Sequence, residues 1–389
     1  MTRRERFRSY IASVDPATNP LTAIERGFYV GPPGAIANQI VGRFEIEPTA
    51  RQLIVGGIGS GKTTQLLVCK NSLNETSDII ASYVDVSSNQ DLEKLRPGCL
   101  LAIASRELLK CTDNIDESLS QRVSSWAEGY IDPSRGYYEE EDVDLFVPGI
   151  ISAPEPDWAS IAQSHVDDLK AIVETLLADG KHPVLLFDSM DRMSDNAAFS
   201  NIVREDVAAL HACGIGAVLV GPIRSLEGFG RIDADRFDHL HIQAPIDVRT
   251  DAEGCRFLES VLERRAKEGI LSDDGRPELV RWSGGVLRDL MSLAKLAGEE
   301  AYLDGAEAIT VVHARRAADR FGRSLLIGLR QDELDRLKQV HASGRFVQVS
   351  PSDIALIATR RVLAYREQTG TYAVHPAIGP LLADVGSSL

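Results

Sequence analysis

Short apolar runs recur between residues 50 and 245, and they set the architecture. Leu53-Ile54-Val55, Ser77 to Val86 (SDIIASYVDV), Pro183 to Phe187 (PVLLF), Gly216 to Gly221 (GAVLVG) and His239 to Gln243 all read as strands. Runs of this length bounded by turn residues are the mark of strands buried in a sheet. Helical spacing fills the intervals: Ala35 to Arg43, Leu92 to Leu109, Ile115 to Trp126, Asp157 to Asp179 closed by Gly180, and Phe199 to His211. Strands alternating with helices predict a parallel sheet covered on both faces. After Pro245 the strand pattern stops. Thr250 to Gly269, Pro277 to Arg281, Gly285 to Ala301 and Ala306 to Phe321 read as helices of a small domain. Two further helices, Asp332 to Ser343 and Ser350 to Thr359, precede two β-like runs, Arg361 to Tyr365 and Gly370 to Val374, and a final helix follows His375-Pro376. Helices followed by a hairpin suggest a winged helix.

The expected division is an N-terminal lead-in over 1–48, a nucleotide-binding domain over 49–247, a helical lid over 248–325 and a winged-helix domain over 326–389. Thr2 to Tyr10 reads as a frayed basic helix start, and the lead-in either packs against a nucleotide's base or is plain surface packing. Gly129 to Pro156 breaks the pattern with Tyr137-Tyr138, the acidic run Glu139 to Asp142 and several prolines, which predicts a mobile acidic insertion or a docking segment.

The candidate chemistry begins where the first strand ends. Gly56, Gly61, Lys62 and Thr63 satisfy G-x-x-x-x-G-K-[ST] at every constrained position, and Gly57, Gly59, Ser60 and Thr64 complete the stretch. Glycines let backbone N–H groups fold into a concave anion cradle, and the helix that follows adds its positive end. Lys62 supplies a point charge to the β- and γ-phosphates, and the Thr63 hydroxyl is a ligand for Mg²⁺. The PVLLF strand delivers Asp188 at its end, the expected second half of the magnesium site. Asp191, three residues on, is the candidate water-positioning carboxylate; capping the next helix or pairing with Arg192 are its other roles. Arg224, past the GAVLVG strand, is a candidate γ-phosphate sensor. Arg236, and less strongly Arg231, are candidates for an arginine finger reaching a neighbouring subunit. In Trp282-Ser283-Gly284-Gly285-Val286-Leu287-Arg288 the glycines read as a helix start, with Arg288 pointing back toward the nucleotide.

Together the phosphate loop, Asp188, the Ser-Gly-Gly-x-x-Arg stretch and the terminal helices and hairpin resemble the AAA+ and STAND branch of P-loop NTPases. The resemblance implies a three-layer αβα sandwich, a helical lid and a winged helix, with ATP or ADP and Mg²⁺ as cofactors. It places Arg288 at the lid arginine that contacts the γ-phosphate. Two features lean toward the STAND signalling ATPases: the D-x-x-D form of Asp188 to Asp191, and Tyr372-Ala373-Val374-His375-Pro376. The latter makes His375 a nucleotide sensor, or else a histidine bonded within its own domain. Two features depart from the pattern. No Asn or Thr ends the GAVLVG strand, and no effector domain follows the winged helix, so an effector is expected on a separate chain.

Charge narrows the partners. The 389 residues carry a formal net charge of −15, which argues against a broad phosphate-backbone footprint. The last 89 residues are closer to neutral, so DNA contact stays open without being indicated. Five cysteines without metal spacing read as reduced thiols of a cytoplasmic protein. The apolar runs are too short to cross a membrane, and the basic N-terminus lacks the apolar stretch of a secretory signal. The reading is an ATP-binding, Mg²⁺-dependent ATPase whose nucleotide state drives a conformational or assembly switch that regulates a partner effector. Its rivals are a DNA-acting loader or initiator, a non-hydrolysing nucleotide-held scaffold, and a kinase-like phosphotransferase.

Overall fold

The computed structural model describes residues 2–131, 161–223, 233–267, 269–347, 350–365 and 371–384. Nearly all of the acidic insertion therefore lies outside the described residues, as do Arg224 and Arg231. In chain order the elements begin with α1 (Arg3–Ser13), α2 (Pro20–Glu25), α3 (Ile36–Ile46), β1 (Arg51–Gly56), α4 (Lys62–Glu75), β2 (Ile79–Asp85) and α5 (Val86–Asn89). They continue through α6 (Cys99–Leu109), α7 (Glu117–Glu128), α8 (Gln163–Ala178), β3 (His182–Asp188), α9 (Asn196–Ile202), α10 (Ala208–Ala212), β4 (Gly216–Gly221) and β5 (His239–Gln243). Then come α11 (Ala252–Glu263), α12 (Gly275–Trp282), α13 (Leu287–Leu303), α14 (Val311–Leu326), α15 (Gln331–Ser343), α16 (Pro351–Ala358), β6 (Val362–Tyr365), β7 (Thr371–Val374) and α17 (Leu381–Asp384). The chain forms two compact units, one of Met1–Ile36, Gly56–Gln65 and Ile242–Leu389, the other of Ala37–Val55 and Leu66–His241.

The sheet has the strand order β2-β3-β4-β1-β5, and the pairs β2/β3, β3/β4 and β4/β1 are parallel. Leu53 to Val55, Val184 to Phe187 and Ala217 to Val220 are buried throughout, which is why these runs show no alternation. Helix α8 presents Leu169, Ile172, Val173 and Leu176 as its buried face, and α6 is buried on nearly every side. The expected helix from Leu92 to Leu109 is broken. A 3-10 turn covers Leu92–Lys94, and α6 starts only after Pro97-Gly98. Gly98 has φ 96°, and a Cβ there would lie 2.1 Å from the Tyr130 ring. The helix read over Phe199 to His211 also carries a π-turn, Val203–Val207, between α9 and α10. This turn holds Asp206 inside the unit, where its carboxylate accepts from the Gly98 and Leu101 N–H groups and so caps α6.

The other unit has a core drawn from α1 and α11 to α14, with Phe7, Tyr10, Leu258, Leu262, Leu290, Leu293 and Ala314 among its members. Helix α1 is not frayed. Thr2 and Glu5 form a capping box at its start, and Arg3 donates to the carbonyls of Ala301, Tyr302 and Ala306. The last carbonyls of α13 lack partners within their own helix, and a cation is favoured there. At the C-terminus, α15 and α16 are joined by Arg336 and the buried Asp353 at 2.9 Å. Strands β6 and β7 form an antiparallel hairpin from Val362↔Val374 to Tyr365↔Thr371. Among the described residues no helix is long and apolar enough to cross a membrane.

Candidate functional site

The phosphate loop joins β1 to α4, and each of its motif glycines has its own steric reason. Gly59 and Gly61 adopt φ 81° and 97°, left-handed values that favour glycine. A Cβ on Gly59 would lie 2.5 Å from the Arg288 Cβ, and one on Gly61 would lie 3.1 Å from the Leu287 Cδ1. A Cβ on Gly56 would lie 2.3 Å from the Gln243 carbonyl oxygen. Gly57 adopts no positive φ, so the left-handed requirement falls on Gly59 and Gly61.

Lys62 opens α4 and is 6% exposed. Its Nζ donates to the carbonyls of Gly56 and Gly57, both at 2.9 Å, so the ammonium is folded into its own loop. The Ser60 hydroxyl donates to the Gly57 carbonyl at 2.9 Å and tightens the same turn. Thr63 and Thr64 stand half-buried in the first turn of α4.

The Ser-Gly-Gly stretch ends one helix rather than starting the next. Ser283 caps α12, Gly284 and Gly285 take φ 59° and 79°, and α13 begins at Leu287. A Cβ on Gly285 would lie 1.8 Å from the Ile246 carbonyl oxygen, and one on Gly284 2.4 Å from the Leu363 Cδ1. Val286 precedes α13 without a side-chain cap. The Arg288 N–H, in the first turn of α13 where no preceding carbonyl of the same helix can receive it, donates to the Gly59 carbonyl at 3.2 Å. The structure thus brings Arg288 together with the phosphate loop through backbone as well as sequence. Its side chain is exposed.

The carboxylates form a second group, in the sheet-containing unit. Asp188, 3% exposed, accepts from the Tyr83 hydroxyl at 2.9 Å and from the Ser189 N–H at 2.7 Å. Burial, and then the Asp188 charge, hold the Tyr83 phenol well above its usual range, so it stays a donor. Ser189 has φ 74°, a strained value for a residue with a side chain. Asp191 sits half-buried in the 3-10 turn Met190–Arg192. It does not cap the next helix; Asp195 does, accepting from the Ala197 N–H at 2.8 Å.

Two partners here were not read from the sequence. Tyr83 holds Asp188, and Asp85 lies opposite it in the β2/β3 register. Burial pushes the Asp85 carboxyl up, but hydrogen bonds from Ser87, Ser189 and Ser88 outweigh it and keep the group below the usual range. The one signal available was position: both residues close an apolar strand neighbouring the Asp188 strand.

The remaining candidates are scattered. Arg236 is exposed in the turn before β5. His375 is fully buried, with its Nε2 3.4 Å from a carboxylate oxygen of Asp289, the residue after Arg288. Its Nδ1 accepts from the Ala377 N–H at 3.2 Å, which puts the proton of a neutral ring on Nε2. The described residues contain no cluster of three or more His, Cys, Asp or Glu able to hold a metal ion. Hard-oxygen candidates for Mg²⁺ are the Thr63 hydroxyl and the Asp188 carboxylate.

No protein-family profile matches the chain. It is 26% identical over 168 residues to the ORC1-type DNA replication protein 4 of Halobacterium salinarum, across 41% of this chain and 40% of that protein. The chain thus spans about two fifths of that relative's length. Among solved structures it is similar to the Aeropyrum pernix ORC2 protein in ADPNP–ADP complexes, with TM-score 0.45, 15% identity and coverage of 93% of this chain and 96% of that one. For Drosophila ORC bound to DNA the TM-score is 0.47 at 12% identity, covering 99% and 92% of the two chains. For the Thermotoga maritima RuvB Holliday junction branch migration motor it is 0.39 at 13% identity, covering 89% and 92%.

Proposed function

We propose that the chain binds ATP with Mg²⁺ at the loop Gly56 to Thr64, hydrolyses it, and uses the nucleotide state to drive a conformational or assembly change in a DNA-acting initiator or loader. The observation that carries the nucleotide reading is the loop itself. Two left-handed glycines, a buried lysine resting on loop carbonyls and the start of α4 make a cradle, and a side chain at Gly59 would run into Arg288. The DNA half is supported by the sequence match to an ORC1-type DNA replication protein.

In this reading Lys62 leaves the Gly56 and Gly57 carbonyls for the β- and γ-phosphates, and the loop amides hold the remaining oxygens. Thr63 and Asp188 hold Mg²⁺, with Tyr83 fixing the Asp188 rotamer. When bound, the ion neutralises charge on the phosphate oxygens. Asp191 orients the attacking water, Arg288 and Arg224 respond to the γ-phosphate, and Arg236 serves a neighbouring copy's nucleotide. The helix–helix–hairpin module is a winged helix, and His375 reports on the nucleotide from it.

The test is ATP turnover by wild type and by Lys62→Ala, with and without duplex DNA, alongside the mass in ATP and in ADP. The expected result is turnover that the substitution abolishes, that DNA stimulates, and that accompanies an ATP-dependent rise in mass. Turnover equal in the two proteins removes the loop from the mechanism.

A second reading, a nucleotide switch for an effector protein on a separate chain, is favoured by how the C-terminal arginines are used. Arg336 is held by Asp353 and the Val347 carbonyl, Arg360 by Asp289, and Arg361 by the Leu325 and Ile327 carbonyls. Under that reading DNA leaves turnover unchanged.

A further inference from the structure

The first turn of α13 touches two things. On one side the Arg288 N–H meets the Gly59 carbonyl at 3.2 Å, and Leu287 lies against Gly61. On the other the Asp289 side chain, fully buried, accepts from the Arg360 Nε at 2.9 Å and faces the His375 Nε2 at 3.4 Å. One Asp289 oxygen and the His375 Nε2 have no hydrogen-bond partner among the described residues, so this buried cluster is only partly satisfied. A partly satisfied buried charge is poor value as a stabiliser, and its best-attested use is to specify one arrangement.

Arg360 carries the same message in its backbone. It follows the end of α16 with φ 62°, and its N–H and that of Arg361 close the helix on Ile357 and Leu356 at 2.9 Å each. Glycine is the usual residue in such a left-handed helix cap. Arginine accepts backbone strain there, and its guanidinium is the group that reaches Asp289.

We propose that Asp289 is a positioning residue for the phosphate-loop site, held by Arg360 and His375 so that the C-terminal module sets how Arg288 is presented to bound phosphate. The role of Arg288 rests on the nucleotide reading above; the mechanical link does not. Tyr365 donates to the Gly284 carbonyl at 2.9 Å, and Gly322 packs against the Ala377 carbonyl, so the module stays seated when the Asp289 link is removed.

The decisive variant is Asp289→Asn with Arg360→Gly, which removes both charges together and places glycine at the left-handed position. Arg360→Gly alone leaves a buried carboxylate without its cation. Amide exchange of residues 56–65 is measured without nucleotide, and KM and kcat for ATP are measured separately. Expected are a melting temperature within a few degrees of wild type, exchange in 56–65 faster by roughly fivefold, and a KM raised more than kcat is lowered. Arg360→Lys, which keeps a cation, returns both readouts toward wild type. Loop exchange equal to wild type in the double variant overturns the link. Faster exchange in the double variant, beside a wild type that neither binds nor hydrolyses ATP, would sink the nucleotide reading and leave the link standing.

Discussion

At the scale of single residues, the loop from Gly56 to Thr64 is governed by backbone shape, and at Gly59 and Gly61 glycine supplies it without strain. Gly59→Ala tests this directly. The added Cβ meets a left-handed φ of 81° and the Arg288 Cβ 2.5 Å away. We expect a loss of at least tenfold in ATP affinity, about 1.4 kcal/mol, by titration with a fluorescent ATP analogue. Unchanged affinity would mean that the loop reshapes without cost. Asp206 gives a second prediction. Burial pushes its carboxyl up to about 7, against the pull of the Gly98, Leu101 and Leu100 N–H groups. A folded-state value above the unfolded 3.8 means that stability is fully present below pH 3.8 and is lost as pH rises toward 7. Denaturant unfolding should therefore show the sheet-containing unit less stable at pH 8 than at pH 5, and Asp206→Asn should flatten that difference. A wild-type profile already flat across this window refutes the assignment. Nothing in the sequence marks Asp206, since an aspartate inside a helical run looks exposed until a π-turn rotates it inward. The Asp289–Arg360 pair was hidden for a similar reason: its members are far apart in the chain and neither belongs to a motif.

At the scale of elements, strands were legible because burial on both faces leaves runs such as PVLLF and GAVLVG without polar interruption. Helix boundaries were harder where punctuation sits inside an apolar pattern. Pro97-Gly98 broke the helix expected from Leu92 to Leu109, and the break depends on Tyr130, a partner that local sequence does not reveal. Ser283-Gly284-Gly285 has the composition of a helix start, and it is the end of α12. Glycine serves either end of a helix, and two successive positive φ values decide for the C-terminal one. The same geometry makes Gly285 intolerant. A Cβ would lie 1.8 Å from the Ile246 backbone oxygen, an atom that cannot rotate away. Gly285→Ala should cost roughly 2–4 kcal/mol through backbone strain and displacement, seen as a drop of several degrees in the thermal unfolding of the unit that contains α11 to α14. A melting temperature equal to wild type would show the turn to be compliant.

At the scale of the whole molecule, the open choice is between DNA and a protein effector, and electrostatics separates them. A formal net charge of −15 repels a polyanion at long range, so any DNA contact rests on a few local cations. Several exposed arginines of α14 already have carboxylate partners: Arg315 with Glu278, Arg316 with Asp304, Arg320 with Glu299 and Glu300, and Arg323 with Asp319. Such surface pairs are weak, on the order of 0–1 kcal/mol each, and phosphate can displace a carboxylate from them. Two salt dependences follow. If the arginine pairs stay closed, duplex binding in ATP should weaken with salt at a log–log slope of about −2 to −3, as expected when two or three phosphates are neutralised. If binding opens the α14 pairs, the slope steepens, and reversing Arg316 and Arg320 to glutamate should return it to the shallow value. Fluorescence anisotropy across a salt series reads both. No measurable binding at ~50 mM salt, the condition most favourable to a charged contact, would remove DNA as the direct ligand and leave the effector-coupled switch as the reading that fits the molecule's charge.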